Sequence, residues 1–386
     1  MKKVILTVLT VLAAAIVALE GFYLIRLFTG NSPDHPVTVI EVDATLATQP
    51  EDPTGESTVP ETTVEETTVP ETTEPEPVIY TLSFAGDCTL GTEPGVYGAG
   101  YTFVGTVKDD YAYPFANVLD IFSQDDFTFV NLEGVFCENG AHADNTFVFR
   151  GPPEYSNILS EGDVEAVALA NNHYMDYGQA GFEATKAALE EVGVQYAVQN
   201  DTLLYTTESG LTIGVYACAF IIHPDDVRAD IAALKEQGAE VIIVSVHWGN
   251  EGSYRVVPDQ RNNAYMFIDA GADIVFGHHP HVLQPVEEYN GGIIYYSLGN
   301  FSFGGHAQPK DKDSAILQQQ IIRNPDGTVE LGELIRIPCW ITSDENQIWN
   351  NYQPTPMKPE EEGYDRALSK LDGTFTGGDL VVNLPE

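Results

Sequence analysis

The stretch VIIVSVHWGNE, residues 241–251, contains the strongest strand signal in the chain. Its first six residues are apolar or small, which is typical of a strand that is buried on both faces of a parallel sheet. The polar residues His247, Asn250 and Glu251 follow this run directly. Ligand sites of open α/β sheets lie beyond the carboxyl ends of the strands, so the stretch predicts both an α/β fold and a site.

Four other apolar runs end in the same way, each with a short polar segment directly after it. These segments are AGD at 85–87, NLE at 131–133, NNH at 171–173 and GHHPH at 277–281. A single His or Asp after a strand is usually structural, but five such segments predict one shared site. Mixed nitrogen and oxygen donors suit one or two divalent ions of Zn, Mn or Fe better than Ca or Mg.

The histidines of residues 277–281 flank a proline, which restricts the backbone. In a turn of this kind His279 and His281 are expected to point to one side, and His278 to point away. His247 closes the strongest strand and is expected to join them.

Three residues of the other segments have predicted roles at the same edge. Asn172 offers an amide oxygen as a metal ligand, His173 could donate a proton, and Glu133 could bridge two ions. Glu251 either orients a histidine or a water molecule, or is a solvated loop carboxylate.

Two further residues are candidates for contact with a ligand. Arg150 is one of few basic residues, and it either clamps a carboxylate or phosphate or pairs with a surface acid. Asn300 follows an apolar run and either lines the site or is a turn residue after Gly299.

The composition of the chain restricts its partners. The 386 residues include 17 Lys and Arg against 58 Asp and Glu, a formal net charge of −41, and 43% are hydrophobic. A core can therefore form, but nucleic acid is excluded because binding to phosphates needs basic patches. Binding along an anionic membrane surface is disfavoured too. An anionic substrate is not excluded, since a metal can supply positive charge locally.

The amino-terminal part of the chain predicts export. Residues 1–30 begin with two lysines before a long apolar stretch, which predicts a signal-anchor that spans the cell membrane once; a cleaved signal peptide is the alternative. Residues 31–77 are acidic, rich in Thr, Pro and Glu and free of Lys and Arg, which predicts a disordered stalk. Both alternatives place the remaining chain outside the cell.

The rest of the chain predicts a folded α/β domain over residues 78–340, followed by a tail, 341–386, that packs on the domain or is partly disordered. Helical patterns cover residues 179–192, 225–237 and 262–270, and a closing hairpin is predicted around residues 325–327. Asp225 is the expected cap of the second helix. The four cysteines match no zinc-finger spacing, but a Cys88–Cys137 disulfide is an open alternative outside the cell.

Five motifs in this order resemble those of the CapA family of capsule (poly-γ-glutamate) synthesis proteins. They are NLEG at 131–134, ANNHYMDYG at 170–178, HWGNE at 247–251, GHHPHVLQ at 277–284 and YSLGNF at 296–301. The resemblance implies a branch of the calcineurin-like metallophosphoesterases, with a β-sandwich flanked by helices and a two-metal site.

Under this resemblance several residues acquire family roles. The metal ligands are Asp87, Glu133, Asn172, His247, His279 and His281, and the proton donor is His173. Two positions depart from the metallophosphoesterase pattern: Thr89 stands where a histidine ligand is expected, and Glu133 replaces the bridging aspartate. The implied function is synthesis or export of an anionic capsule polymer, with a metal-dependent hydrolase site or, alternatively, as a non-catalytic accessory subunit or polymer-binding scaffold. Capsule synthase subunits and the polymer are the expected partners.

Overall fold

The computed structural model describes residues 75–380. The predicted anchor, the stalk up to residue 74 and the last six residues lie outside this range. Within the described range, no helix combines the length and apolar character needed to cross a bilayer.

The described residues form strands and helices in alternation over most of their length. The strands are β1 Val78–Thr89, β2 Phe127–Leu132, β3 Val135–Phe136, β4 Arg150–Gly151, β5 Ala166–Ala168, β6 Gln195–Ala197, β7 Asp201–Thr206, β8 Thr212–Ala219, β9 Val241–His247, β10 Ile274–His278, β11 Val286–Tyr289, β12 Gly292–Tyr295, β13 Asn300–Phe303, β14 Asp313–Arg323, β15 Val329–Trp340 and β16 Thr355–Pro356. The helices are α1 Phe103–Val107, α2 Leu119–Phe122, α3 Ser156–Glu161, α4 Gly178–Val192, α5 Pro224–Glu236, α6 Pro258–Asp269 and α7 Glu362–Leu371.

Two large mixed sheets organise the domain. The first has the order β16–β15–β14–β1–β2–β5–β6, with β13 beside β1, and the second has the order β11–β12–β10–β9–β8–β7. Strands β1, β2, β5 and β6 run parallel, as do β8, β9, β10 and β12. The predicted α/β class is confirmed.

The two sheets face each other across an apolar core. Phe84 and Phe129 of the first sheet meet Phe276 of the second at ring-centroid distances of 5.1 and 5.8 Å. The outer faces bury their own clusters, against α1–α4 on the first sheet and against α5 and α6 on the second. The strands are buried on both faces, which explains their unbroken apolar runs.

The three long helices before residue 300 are confirmed, with small shifts in their bounds. The predicted cap of the second is wrong: α5 begins at Pro224, and His223 precedes it in an extended conformation. Proline suits the first helical position because its missing N–H needs no partner there. The predicted closing hairpin is β14–β15, which are antiparallel and joined by a turn with a 2.8 Å hydrogen bond from Asn324 N to Thr328 O.

The register of the strands brings their polar ends together. In the first sheet Asp87 lies opposite both Asn131 and Asn300, and in the second His247 lies opposite His278. Because the parallel strands end at one edge, residues that are far apart in sequence become neighbours there.

The segment after Trp340 packs on the same domain. It adds β16 to the first sheet, and α7 buries Ala367 and Leu371 in the core between the sheets. All four cysteines are free and buried, so the alternative of a Cys88–Cys137 disulfide is wrong.

Candidate metal centre

Carboxylates and imidazoles from both sheets converge at the carboxyl ends of the strands. Asp87 Oδ2 lies 3.2 Å from His281 Nδ1, and Glu133 Oε1 lies 3.6 Å from His247 Nε2 and 3.8 Å from His281 Nε2. Ligand atoms of Glu133, His279 and His281 all lie within 4.8 Å of one another. The structure therefore brings together five of the six predicted metal ligands.

Many polar atoms of this cluster are buried without a hydrogen-bond partner. Among the described residues they include both carboxylate oxygens of Glu133, both ring nitrogens of His247, Asp87 Oδ2 and His279 Nδ1. An unpaired buried polar atom costs about 1–3 kcal/mol, so such a cluster is unfavourable unless something binds there.

The spacing of these atoms fits a shared ion. Separations of 3.6 and 3.8 Å from Glu133 to the two histidines are too long for good hydrogen bonds. They are close to the about 3.4 Å between two ligands that bind one ion tetrahedrally with bonds of about 2.0–2.1 Å. Imidazole and carboxylate together suit a divalent transition metal or Zn.

Two of the histidines are held in the neutral form that binds metals. Burial lowers the pKa of His247 well below its usual range, and the charges of neighbouring histidines contribute. Burial and His281 lower the pKa of His279 to about 4. Neither ring needs to lose a proton before binding an ion near neutral pH.

The pKa values of Glu133, His281 and Asp87 depend on one another. Burial raises the pKa of Glu133 to about 7, although His281 opposes it. Burial lowers the pKa of His281, but Glu133 and Asp87 outweigh this and raise it to about 10. Burial likewise raises the pKa of Asp87, but the neighbouring rings of His278 and His281 outweigh it and hold the pKa well below its usual range.

His173 lies beside the cluster and is oriented by Asp176. Its Nδ1 is 2.8 Å from Asp176 Oδ2, and the Phe149 ring packs over the imidazole at 4.6 Å. Burial lowers the pKa of His173, but the bond to Asp176 and the charge of Glu133 outweigh it, so the pKa is raised. With Nδ1 donating to Asp176, Nε2 is the nitrogen that can give a proton to a ligand.

A chain of hydrogen bonds that sequence reasoning missed connects these strand ends. Asn131 Nδ2 donates to Asp87 Oδ1 at 2.9 Å, Asn171 Nδ2 donates to Asn131 Oδ1 at 3.1 Å, and His173 N donates to Asn171 Oδ1 at 2.9 Å. Both asparagines stand in the quoted motifs. Asn131 lies near the end of β2 and Asn171 shortly after β5, and this position at the polar ends of apolar runs was the signal that could have identified them.

The prediction that His278 points away is wrong. Its Nδ1 lies 3.3 Å from Asp87 Oδ1, and its Nε2 lies 3.2 Å from Ser245 Oγ. The reason is that His278 is still the last residue of β10, paired with His247, so the strand rather than the following turn sets its direction.

Asn172 and Thr89 differ from the five converging residues. Asn172 is exposed, whereas its neighbour Asn171 is buried in the hydrogen-bond chain. The assignment of Asn172 as a ligand stays a prediction. Thr89 is buried, and within the described structure its hydroxyl has no hydrogen-bond partner.

The three residues predicted to contact a ligand have different settings. Asn300 Oδ1 lies 2.9 Å from His281 Nδ1, and Glu251 lines a cavity of about 330 Å³ beside His281. Arg150 is only 8% exposed, with its guanidinium 3.8 Å from the centre of the Tyr97 ring. The burial and this cation–π contact do not fit pairing with a surface acid, and the clamping of a carboxylate or phosphate by Arg150 stays a prediction.

Two proteins of known structure have low overall structural similarity to this chain. A protein of Thermus thermophilus covers 66% of this chain and 99% of its own at 10% identity, with a TM-score of 0.37. A purple acid phosphatase from yellow lupin seeds covers 70% of this chain and 55% of its own at 10% identity, with a TM-score of 0.31. Overlaps this low do not assign a fold.

Sequence relatives are more informative. The chain is 30% identical over 277 residues to the PGA biosynthesis protein CapA of Bacillus subtilis, covering 66% of this chain and 70% of that one. It is 31% identical over 241 residues to the capsule biosynthesis protein CapA of Bacillus anthracis, covering 55% and 58%. A probable polyglutamine synthesis accessory protein of Mycobacterium tuberculosis is 30% identical over 238 residues, covering 51% and 62%.

The family match covers the region that builds the candidate metal centre. Residues 81–305 match the family described as bacterial capsule synthesis protein PGA_cap, and they contain every candidate ligand discussed above. Since this match spans more than half of the chain, the protein belongs to the PGA_cap family of bacterial capsule synthesis proteins.

Proposed function

We propose that this protein acts in the synthesis or export of an anionic capsule polymer such as poly-γ-glutamate, and that it does so through a metal-dependent hydrolase centre. Relatives named for capsule and PGA biosynthesis support the first part. The second part rests on one observation, the buried cluster of unpartnered carboxylate and imidazole atoms beside His173.

A metallophosphoesterase-like arrangement is part of this proposal. It is supported by the packing of two sheets with helices on both outer faces and by a site at the carboxyl ends of the strands. One or two ions of Mn, Zn or Fe would be held by Glu133, His247, His279 and His281, with Asp87 as a further carboxylate.

In this proposal each residue of the site has a separate chemical role. A bound ion would act as a Lewis acid and would lower the pKa of a water molecule, which could then attack a phosphoryl or acyl centre. His173 Nε2 gives its proton to the leaving group, and Asp176 holds the ring in the required tautomer. Asn131 and Asn171 fix the position of Asp87 relative to the backbone of His173.

A non-catalytic accessory subunit or polymer-binding scaffold is the second candidate. The mycobacterial relative is named an accessory protein, and Thr89 replaces an expected ligand. In this alternative the same cleft binds the polymer or a synthase subunit without cleaving a bond.

The proposal includes a location. The lysines before the apolar stretch of residues 1–30 support a single-pass anchor in the cell membrane, with the folded domain outside the cell. The anionic polymer and capsule synthase subunits are the proposed partners, and the charge of −41 argues against nucleic acid.

Two histidine variants separate chemistry from scaffolding. His173→Ala should lower turnover of a phosphodiester substrate with added Mn by roughly 10²–10⁴-fold, because it removes the proton donor, while metal content stays unchanged. His281→Ala should deplete metal, because it removes a ligand. Elemental analysis of the purified full chain and an assay of bis(p-nitrophenyl) phosphate hydrolysis measure the two effects.

The exposed His223 provides a matched control, since His223→Ala removes an imidazole outside the cluster and should change neither quantity. Full polymer production in cells that carry His173→Ala or His281→Ala would overturn the hydrolase proposal. The accessory-subunit alternative would then replace it.

A further inference from the structure

A second cavity lies next to the one beside the metal centre. It has a volume of about 410 Å³, and Tyr101 and Trp349 line it. Their side chains are 57% and 53% exposed, which is unusual for aromatic residues of this size. Trp349 lies beyond the residues that match the family, so this wall is not part of the matched region.

Hydrogen bonds fix the backbone at both aromatic residues. Tyr352, which is buried beneath the cavity, donates its hydroxyl to Tyr101 O at 2.6 Å. The backbone of Trp349 accepts from Thr342 Oγ1 at 2.8 Å and donates to Asp344 Oδ2 at 3.2 Å. The rings are therefore presented to solvent by a preorganised scaffold rather than by a loose loop.

The polar groups of this cavity are suited to an uncharged ligand. Its described lining contains no lysine or arginine, but it includes Glu93, His306 and Gln308. Burial raises the pKa of Glu93, although His306 opposes this shift. His306 Nδ1 accepts from Gln308 N at 2.9 Å, which leaves Nε2 as the proton-bearing nitrogen of the neutral ring.

We propose that this cavity binds a neutral saccharide. A pyranose ring presents a flat C–H face that packs on an aromatic ring, and hydroxyl groups at its edge that bond to acceptors and donors. Tyr101 and Trp349 supply the aromatic faces, Glu93 an acceptor, and Gln308 both kinds of group.

The position of the cavity connects it with the metal centre. His306 and Gln308 line both this cavity and the 330 Å³ cavity that includes Glu251, His281 and Asn300. Asn350 holds the shared wall by donating Nδ2 to Phe303 O at 2.7 Å. A saccharide on the aromatic rings would thus adjoin any group bound at the metal centre.

Two other ligands fit this cavity less well. An anionic polymer would meet Glu93 without a lysine or arginine to compensate it. A proline-containing segment such as residues 59–73 of this chain could pack on aromatic rings, but it carries several glutamates and no basic residue.

Titration of the full chain with neutral tetrasaccharides tests the proposal. The probes are cellotetraose, chitotetraose and maltotetraose, and the detergent must lack a sugar head group. Trp248 and Trp340 are buried, so a change in tryptophan fluorescence reports on Trp349. At least one probe should bind, and calorimetry should show affinity reduced about tenfold or more by Trp349→Ala and by Tyr101→Ala.

Ile348→Ala is the matched control, because Ile348 is 56% exposed beside Trp349 but does not line the cavity. It should bind the probe like the unaltered chain. The titrations are made with a chelator, so their outcome is independent of the metal proposal. Absence of binding by all three probes, or binding that survives Trp349→Ala, would overturn the saccharide site. So would binding of a peptide of residues 59–73, or of poly-γ-glutamate, in place of the saccharides.

Discussion

Two histidines at the strand ends have strained backbone conformations that lower the stability of the folded state. His279 and His281 both adopt positive φ values, 95° and 55°, on either side of Pro280. Residues other than glycine rarely do so, and each such conformation costs about 1–3 kcal/mol. Together with the unpartnered buried atoms, this strain indicates a turn that is retained for binding rather than for folding.

Gly86 is the residue on which the position of Asp87 depends most directly. A Cβ atom there would lie 2.2 Å from Gly299 O and 2.8 Å from Leu298 O. Gly86→Ala should therefore disrupt the 2.8 Å hydrogen bond from Asp87 N to Gly299 O. We expect a loss of about 1–3 kcal/mol in the free energy of unfolding, and a lower metal content.

Urea unfolding and elemental analysis of the purified variant measure these two effects. Gly95→Ala is the control, since a Cβ at Gly95 would meet no atom within 4 Å. Unchanged stability and metal content in Gly86→Ala would show that β1 can shift without moving Asp87.

Two buried carboxyl groups lie away from the candidate metal centre. At the opposite edge of the first sheet, Glu165 Oε2 accepts from Thr128 N at 2.6 Å and Asp125 Oδ2 accepts from Thr128 Oγ1 at 2.7 Å. Burial raises the pKa of both carboxyls to about 7. These groups join neighbouring parallel strands where each strand begins.

This pair predicts a pH dependence of stability. Unfolded carboxyls titrate near pH 4, whereas these remain protonated in the folded state up to about pH 7. The folded state therefore holds more protons between these values, and the free energy of unfolding falls as the pH rises through this window. Asp125→Asn combined with Glu165→Gln should flatten that fall by up to about 1.4 kcal/mol per pH unit for each group.

Chemical unfolding of both proteins from pH 4 to pH 8 provides the comparison. Substitution of the exposed acids Asp120 and Glu161 by Asn and Gln should leave the slope unaltered. Identical slopes for the Asp125→Asn, Glu165→Gln variant and the unaltered chain would contradict the raised pKa values.

Helix α7 is attached by a buried network of charges. Lys370 Nζ lies 2.6 Å from Asp311 and 2.6 Å from Asp313, and Arg366 makes bonds of 2.7 and 2.8 Å to Asp313. Lys370→Ala removes the cation that Asp311 and Asp313 share, leaves Arg366 as the partner of Asp313, and should cost about 3–5 kcal/mol. Thermal and urea unfolding measure the change, and the exposed Lys358→Ala on the same segment should be near neutral. A comparably small effect of Lys370→Ala would mean that the tail contributes little to stability.

The whole chain combines a folded domain with a predicted anchor and stalk, and export of the domain is part of our proposal. If residues 1–30 span the membrane and residues 31–77 form a stalk, protease added to intact cells should release a soluble fragment that begins within residues 31–77. Mass spectrometry of the supernatant identifies that fragment. Cleavage that occurs only after the cells are lysed would mean that the domain lies on the other side of the membrane.

Much of this protein could be inferred from its sequence because the signals are local. Apolar runs with polar ends predicted the buried strands, the helical spacing predicted α4, α5 and α6, and the ordered motifs predicted the family. Local periodicity reports burial and secondary structure directly. The same patterns predicted that Asp87, Glu133, His247, His279 and His281 lie at the ends of parallel strands.

The remaining features depend on contacts between distant segments. The direction of His278 follows from its pairing with His247, and it is Asn171 rather than the exposed Asn172 that bonds to Leu132 O of the neighbouring strand. The aromatic cavity joins Tyr101 to Trp349 through Tyr352, which is 251 positions from Tyr101 in the chain. Pairing and packing across such separations are set by the three-dimensional arrangement of the sheets, because no local period in the chain records which segments will meet.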